Sequence, residues 1–327
     1  MTATTPGPAT TAGPATDRRT DPRPGPAPAH HPSGPARTGR PAAEQGDRPV
    51  RLEARTQDTQ HTQERLREFR ALEARREAAA YLDFFGPVTA LFAEATAAAL
   101  APGPGATVLD LGCGDGTLGA RLRERGLRCV ATDLSPAMCA AAVATLGRGA
   151  VLAADATALP FRDGAADAAA GAFLLPHLPE LDGGLRELRR VLRPGGELVL
   201  TTWSGPDRSP FTGLLGELLL DEAPAEVRAV MAERARRTEP GELRAGLLGA
   251  GFAGPRFERH RRTVALPSAE AWWDGMARAS VGARHLLRTP GRAALREEFL
   301  RRAAPFAGPA GPLEVPVEAL VVVATAA

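Results

Sequence analysis

Between residues 106 and 202, short apolar runs alternate with segments of helical period. Runs rich in Val, Leu and Ala at 106–111, 128–133, 150–154, 166–173 and 197–202 read as strands. The segments between them, 116–125, 137–146 and 182–192, place their apolar residues on one face of a helix. Strand and helix in regular alternation predict a parallel sheet with right-handed crossovers and helices on both faces. The run 166–173 is mostly alanine, a weak strand former, so its prediction rests on its neighbours. Beyond Trp203 the rhythm loosens into helical stretches at 210–220, 224–237 and 242–249, then a strand-like 257–266. A Trp-containing helical insertion at 268–306 precedes a last strand at 317–325. The final two strands are expected to close a seven-stranded, mostly parallel sheet as an antiparallel pair around the inserted segment. No internal repeat is present.

The chain before residue 106 divides in two. Residues 1–50 hold 11 of the 30 prolines, no Phe, Trp or Tyr, and only Met1 and Val50 among the large aliphatics. Too little apolar area is available there to offset chain entropy, so 1–56 is expected to be a disordered tail. Residues 57–76 are densely charged around a narrow stripe of Leu66, Phe69 and Leu72, the signature of a solvated helix. An apolar helical pair at 81–100, broken at Gly86-Pro87, ends at the turn Pro102-Gly103-Pro104-Gly105. The helices of 57–105 are expected to give partial cover to a domain spanning 106–327.

Composition narrows the function. The chain has no Lys, Ile or Asn, and its 40 basic residues are all Arg, interspersed with 38 acids for a net charge of +2. No basic block of the kind that grips nucleic acid is present. Cys113, Cys129 and Cys139 are odd in number and lack paired spacing, which fits a reducing cytoplasm and predicts neither disulfides nor a metal site. No apolar run marks a signal peptide, and the tract 317–327 is half the ~20 residues a membrane span needs. No membrane partner is expected.

The strongest chemical signal is Val108-Leu109-Asp110-Leu111-Gly112-Cys113-Gly114-Asp115-Gly116, a strand running through three alternate glycines into a helix. Such glycines let a ligand lie against bare backbone at the carboxyl edge of the sheet. The spacing alone is weak evidence, and charge sharpens it. Asp110 and Asp115 flank the loop, where they would repel a pyrophosphate and attract a methionine ammonium group. The second strand ends at Asp133, placed to accept from ribose hydroxyls, and the third at Asp155-Ala156, placed to meet an adenine edge. Each Asp alone could equally be a helix cap or turn residue. Three in register point to a nucleoside site.

From Ala106 to Trp203 the sequence resembles the class I S-adenosylmethionine-dependent methyltransferases, in particular those of ubiquinone and menaquinone biosynthesis and of natural-product pathways. The resemblance lies in VLDLGCGDG (108–116), ATDLSPAM (131–138), ADATALPF (154–161), LLPHLPEL (174–181) and LRELRRVLRPGGELVLTTW (185–203). It implies a Rossmann-like α/β fold and S-adenosylmethionine as cofactor. It further implies that Gly112, Gly114 and Gly116 face the methionine moiety, that Asp133 holds the ribose, that Leu134 packs on the adenine and that Asp155 and Ala156 bind its edge; Asp110 and Cys113 of the same loop are further candidate cofactor contacts. Phe173 would line the site after the fourth strand.

Methyl transfer from a sulfonium needs alignment and exclusion of water more than a nucleophile. A general base helps if the acceptor is a phenol, alcohol or acidic carbon, and His177 is the candidate, with a structural loop histidine as the alternative. Tyr81, Trp272 and Trp273 are candidate acceptor contacts from the flanking segments, with core packing as their alternative. The acceptor is expected to be a small molecule, methylated on O, N or C. Two competing functions remain at this point: a binding protein that kept the fold without catalysis, and a nicotinamide oxidoreductase. If 1–50 is dispensable, its deletion should leave cofactor affinity and melting temperature nearly unchanged; a loss of several degrees in thermal unfolding refutes this.

Overall fold

The computed structural model describes residues 78–327 apart from 224, 281, 282, 285, 286, 288–291, 309 and 310. The tail expected at 1–56 and the charged helix at 57–76 lie outside the described residues. Seven strands form one sheet: β1 (Thr107–Leu111), β2 (Arg128–Asp133), β3 (Val151–Ala153), β4 (Ala166–Ala172), β5 (Leu192–Trp203), β6 (Phe252–Leu266) and β7 (Leu313–Ala326). Their order is β3-β2-β1-β4-β5-β7-β6. β1 pairs parallel with β2 and β4, while β7 runs antiparallel to both β5 and β6. The mostly parallel α/β sheet with an antiparallel last strand is therefore present as the alternation predicts.

Helices cover both faces because the parallel strands alternate apolar side chains between two cores. On one face Val108 of β1 and Val199 of β5 pack with α2 (Gly86–Ala98) and α3 (Thr117–Glu124) through Ala97, Leu118 and Leu122, joined by Leu100 just past the end of α2. On the other, Leu109, Leu111, Leu198 and Leu200 meet α5 (Leu181–Val191) and α8 (Pro240–Gly249) through Leu185, Leu188, Leu243 and Leu247. Burial on both faces explains why these strands read as nearly continuous apolar runs. The alanines of β4 are what this crowding selects. Ala168, Ala169 and Ala170 are fully buried, and the thin strand lets α2 approach closely enough for Thr96 Oγ1 to hydrogen-bond Thr201 Oγ1 at 2.7 Å.

Strand limits differ from the sequence pattern where the chain bulges. β4 stops at Ala172 because Phe173 turns to a φ of 59°, outside strand geometry. β6 starts five residues earlier than expected, since Gly254 and Pro255 are absorbed by a register shift between Ala253 and Arg256. β7 likewise extends back through Pro316, which pairs with Thr263. β5 has already ended opposite Ala319, so the missing N–H of Pro316 interrupts no ladder on that side.

A third core gathers α1 (Ala78–Phe84), α2, α6 (Pro210–Glu222), α9 (Ala269–Ala279) and α10 (Arg292–Ala303) against β6 and β7. Trp272 and Trp273 are its centre. Both are fully buried; Trp272 lies parallel to Phe211 at 6.2 Å and donates from Nε1 to Phe211 O at 3.1 Å. Phe299 meets both indoles edge-on. α1 docks on α9 by a ring in a notch: a Cβ built on Gly275 would lie 2.1 Å from Cδ2 of Phe84. Gly275→Ala should therefore cost about 1–3 kcal/mol in urea unfolding through overpacking, although alanine is the better helix former by about 1 kcal/mol. In a Phe84→Ala background the same change should become neutral or stabilising, and an unchanged penalty there would show that the ring does not set it.

Candidate active site

β1, β2 and β4 bring their carboxyl ends to one edge of the sheet, where a cleft opens. β1 leaves through Gly112, Gly114 and Gly116, all with positive φ. At Gly114, φ is 55° and a Cβ would meet nothing within 4 Å, so glycine there serves the backbone turn and leaves a bare face toward the cleft. Gly116 caps α3, and Asp115 Oδ1 accepts from Thr117 N at 3.0 Å, so part of that carboxylate serves the helix start. Asp133, at the end of β2, clasps the loop: its Oδ2 accepts from Gly114 N at 3.0 Å and its Oδ1 from Ser135 N at 2.8 Å. Ser135 in turn caps α4 (Pro136–Leu146).

The cleft has two lobes. Asp133, Leu134, Ala156, Phe173, His177 and Leu178 line one, and Thr89, Asp110, Cys113, Asp115 and Thr117 line the other. Tyr81, Gly112, Gly114 and Ala172 border both. Leu134 is 40% exposed, an apolar side chain open to a ligand. Phe173 is the only non-glycine with positive φ among the described residues, and its ring is held 4.0 Å from that of Trp203. His177 ends a short 3-10 turn, Leu175–His177, at the rim. Tyr81 stacks on Phe85 at 5.2 Å and roofs the junction of the lobes.

Of the residues expected at the site, Trp272 and Trp273 do not reach it. The indoles are large apolar surfaces on the inner face of α9, and burial in the third core claims them. They act on the cleft only through α1, which α9 supports. Asp155 is not among the lining residues; its Oδ1 accepts from Thr157 N at 2.8 Å and from Thr157 Oγ1 at 2.7 Å, closing a local turn. Sequence reasoning missed Gly86, Thr89, Ala90 and Ala93, which bring α2 against the lobe that the glycine loop lines. Their signal was small residues spaced along one helical face after Gly86-Pro87. It also missed what fixes the loop after Ala156: Glu187 Oε1 accepts from Leu159 N at 2.6 Å, and Arg190 bridges Glu187, Asp163 and the carbonyls of Leu159 and Phe161. A larger cavity, about 500 Å³, lies between α5, α8 and the helix Ala225–Arg236 (α7), but none of the strand-end residues faces it.

Asp110 is the unusual group electrostatically. It is 1% exposed, its Oδ2 has no hydrogen-bond partner among the described residues, and no cation lines its lobe. Burial pushes its carboxyl up to about 7, with Asp133 and Asp115 adding to the rise and the backbone N–H of Gly119 opposing it. Burial also pushes the Cys113 and Cys129 thiols up, so neither is a nucleophile at neutral pH.

Residues 109–200 match the family model described as a methyltransferase domain. The demethylmenaquinone methyltransferase of Mycolicibacterium paratuberculosis is 38% identical over 174 residues, covering 50% of this chain and 75% of that protein. The chain belongs to the class I S-adenosylmethionine-dependent methyltransferases. A demethylmenaquinone methyltransferase of Beutenbergia cavernae is 42% identical over 126 residues, 38% of this chain and about half (52%) of the relative. Among solved structures, the YcgJ protein of Bacillus subtilis aligns with a TM-score of 0.47 at 16% identity, over 73% of this chain and 97% of that one.

The enzyme's buried acid has a consequence for folding. A native carboxyl raised above its unfolded value keeps a proton that the unfolded chain loses, so its contribution to stability falls as pH rises from about 4 to about 7 and is flat above. In the ligand-free enzyme, the melting temperature of Asp110→Asn minus that of the parent should therefore climb by a few degrees between pH 5 and pH 8, equivalent to about 2–3 kcal/mol. A pH-independent difference would mean that Asp110 is already ionised.

Proposed function

We propose that this methyltransferase binds S-adenosylmethionine across both lobes of the cleft and methylates a small, largely apolar molecule. One observation carries the cofactor reading: three acidic side chains, Asp110, Asp115 and Asp133, gather around a bare glycine backbone with no arginine among the lining residues. A dinucleotide pyrophosphate would be repelled there, whereas a ligand with an ammonium, a sulfonium and a ribose finds partners. The orphaned Asp110 Oδ2 and the open face of Gly114 fit the methionine end. Asp133 fits the ribose, and exposed Leu134 with Ala156 fits the flat adenine face.

When bound, the cofactor supplies an electrophilic methyl on a positively charged sulfur. The protein's contribution is alignment. Tyr81 borders both lobes and Phe173 lines the one it shares with His177, where the two rings would exclude water and orient the acceptor. His177, at the rim beside Leu174 and Leu178, would take the acceptor's proton. The apolar wall of Tyr81, Phe173, Leu174 and Leu178 favours an acceptor with an aromatic or hydrocarbon body, and the named relatives are demethylmenaquinone methyltransferases. In this reading residues 106–327 form the methyltransferase domain, and 78–105, the described part of the segment expected to cover it, is its partial cover. The enzyme would work in the cytoplasm: its three cysteines are free, and no described helix is long and apolar enough to cross a membrane.

Asp133→Ala should weaken S-adenosylmethionine binding more than tenfold in calorimetry, through loss of a charge-assisted contact of about 1.5–3 kcal/mol. With quinols and phenols as trial acceptors and S-adenosylhomocysteine release as the assay, His177→Ala should lower turnover by about 10²-fold while leaving cofactor affinity within twofold. Parent-like affinity in folded Asp133→Ala overturns the cofactor placement, and parent-like turnover in His177→Ala removes the general base.

A further inference from the structure

Asp110 departs from what a buried carboxylate normally has. Its side chain lies inside the sheet edge with Oδ2 against α3, so close that a Cβ on Gly119 would sit 3.1 Å from it. The groups that face it are Asp133 and Cys129 from β2, Cys113 and Asp115 from the loop, and the Gly119 backbone of α3. The covering helices α1 and α2 bring Tyr81, Leu82, Gly86, Thr89, Ala90 and Ala93 to this lobe, none of them cationic. An ionised carboxylate in such surroundings has neither solvent nor a counter-ion.

We propose that Asp110 is a proton-exchanging counter-ion for the cofactor: a neutral acid in the free enzyme that ionises, releasing its proton to solvent, when the ammonium group of the methionine moiety enters its lobe. The inference rests on the cofactor reading above and adds a linkage to it. Bound positive charge favours the ionised carboxylate, which lowers the proton's affinity, and by reciprocity protons weaken cofactor binding. The raised titration of Asp110 places this exchange around neutral pH. The balance is simple: one O–H bond of Asp110 breaks, the electron pair stays on the carboxylate, and the proton goes to buffer. No redox step occurs.

The consequence separates ligands by their amino-acid end. S-adenosylhomocysteine carries the ammonium, whereas 5′-methylthioadenosine has the same nucleoside and thioether without it. Both fill the lobe that His177 lines, so any proton exchanged by that imidazole is common to the two. Calorimetry of the full-length enzyme at pH 6.5, in buffers of differing ionisation enthalpy, counts the protons. S-adenosylhomocysteine should release about 0.7 proton more than 5′-methylthioadenosine, and its affinity should fall about tenfold from pH 8 to pH 6. In Asp110→Asn the excess release should vanish, while the parent comparison alone decides the matter if that variant does not fold. Equal proton counts for the two ligands in the parent overturn the proposal and leave the cofactor reading intact. Failure of all these ligands to bind overturns the cofactor reading, and the proposal with it.

Discussion

β1 is paired on both edges, with β2 at Thr107–Leu111 and with β4 at Val108–Asp110, and it is covered on both faces. A strand so enclosed has one direction in which to present chemistry, which is outward from its carboxyl end. The parallel register of its neighbours carries Asp133 and Phe173 to the same edge, and the loop after β1 must turn sharply in front of them. Asp133 ties that turn to β2 through two backbone N–H groups. The glycine loop, the Asp133 carboxylate and the wall after β4 are thus positioned by one pattern of strand pairing.

The enclosure that positions the loop also burdens Asp110. Its neighbours on β1, Leu109 and Leu111, are buried apolar residues, and the acid between them has no better access to water. A hydrophobic residue there would be the more stable choice for folding alone. The acid makes physical sense in a site whose ligand brings the missing positive charge. Around it, Asp115 both lines the cleft and accepts from Thr117 N at the start of α3.

Cover for the cleft is assembled indirectly. α1 carries Tyr81 over the junction of the lobes, but what fixes α1 is a core some two hundred residues later in the chain, where Phe84 seats in the Gly275 notch and the buried tryptophans of α9 pack on Phe211 and Phe299. The late insertion therefore supports the site without lining it. On the opposite side, Glu187 and Arg190 of α5 hold the backbone at Leu159 and Phe161, which gives a mechanical reason for the paired segments ADATALPF and LRELRRVL.

Local chemistry in the sequence determined the alternation of strand and helix, the glycine turn and the strand-end acids. Each is a short-range requirement: apolar runs for doubly covered strands, glycine for positive φ, a carboxylate where a strand meets its loop. Even alanine-rich β4 was legible through its neighbours, since a crossover needs a strand there. Tertiary structure alone decided the rest. Whether Trp272 faces ligand or core depends on which helix packs against α9, and Asp155 turned into its own loop because Thr157 happened to offer two donors. The extra length of β6 and β7 came from mutual pairing that overrode Gly254, Pro255 and Pro316. The raised titration of Asp110 belongs to the same class, because desolvation is set by what surrounds a residue in space, and no run of neighbours along the chain encodes it.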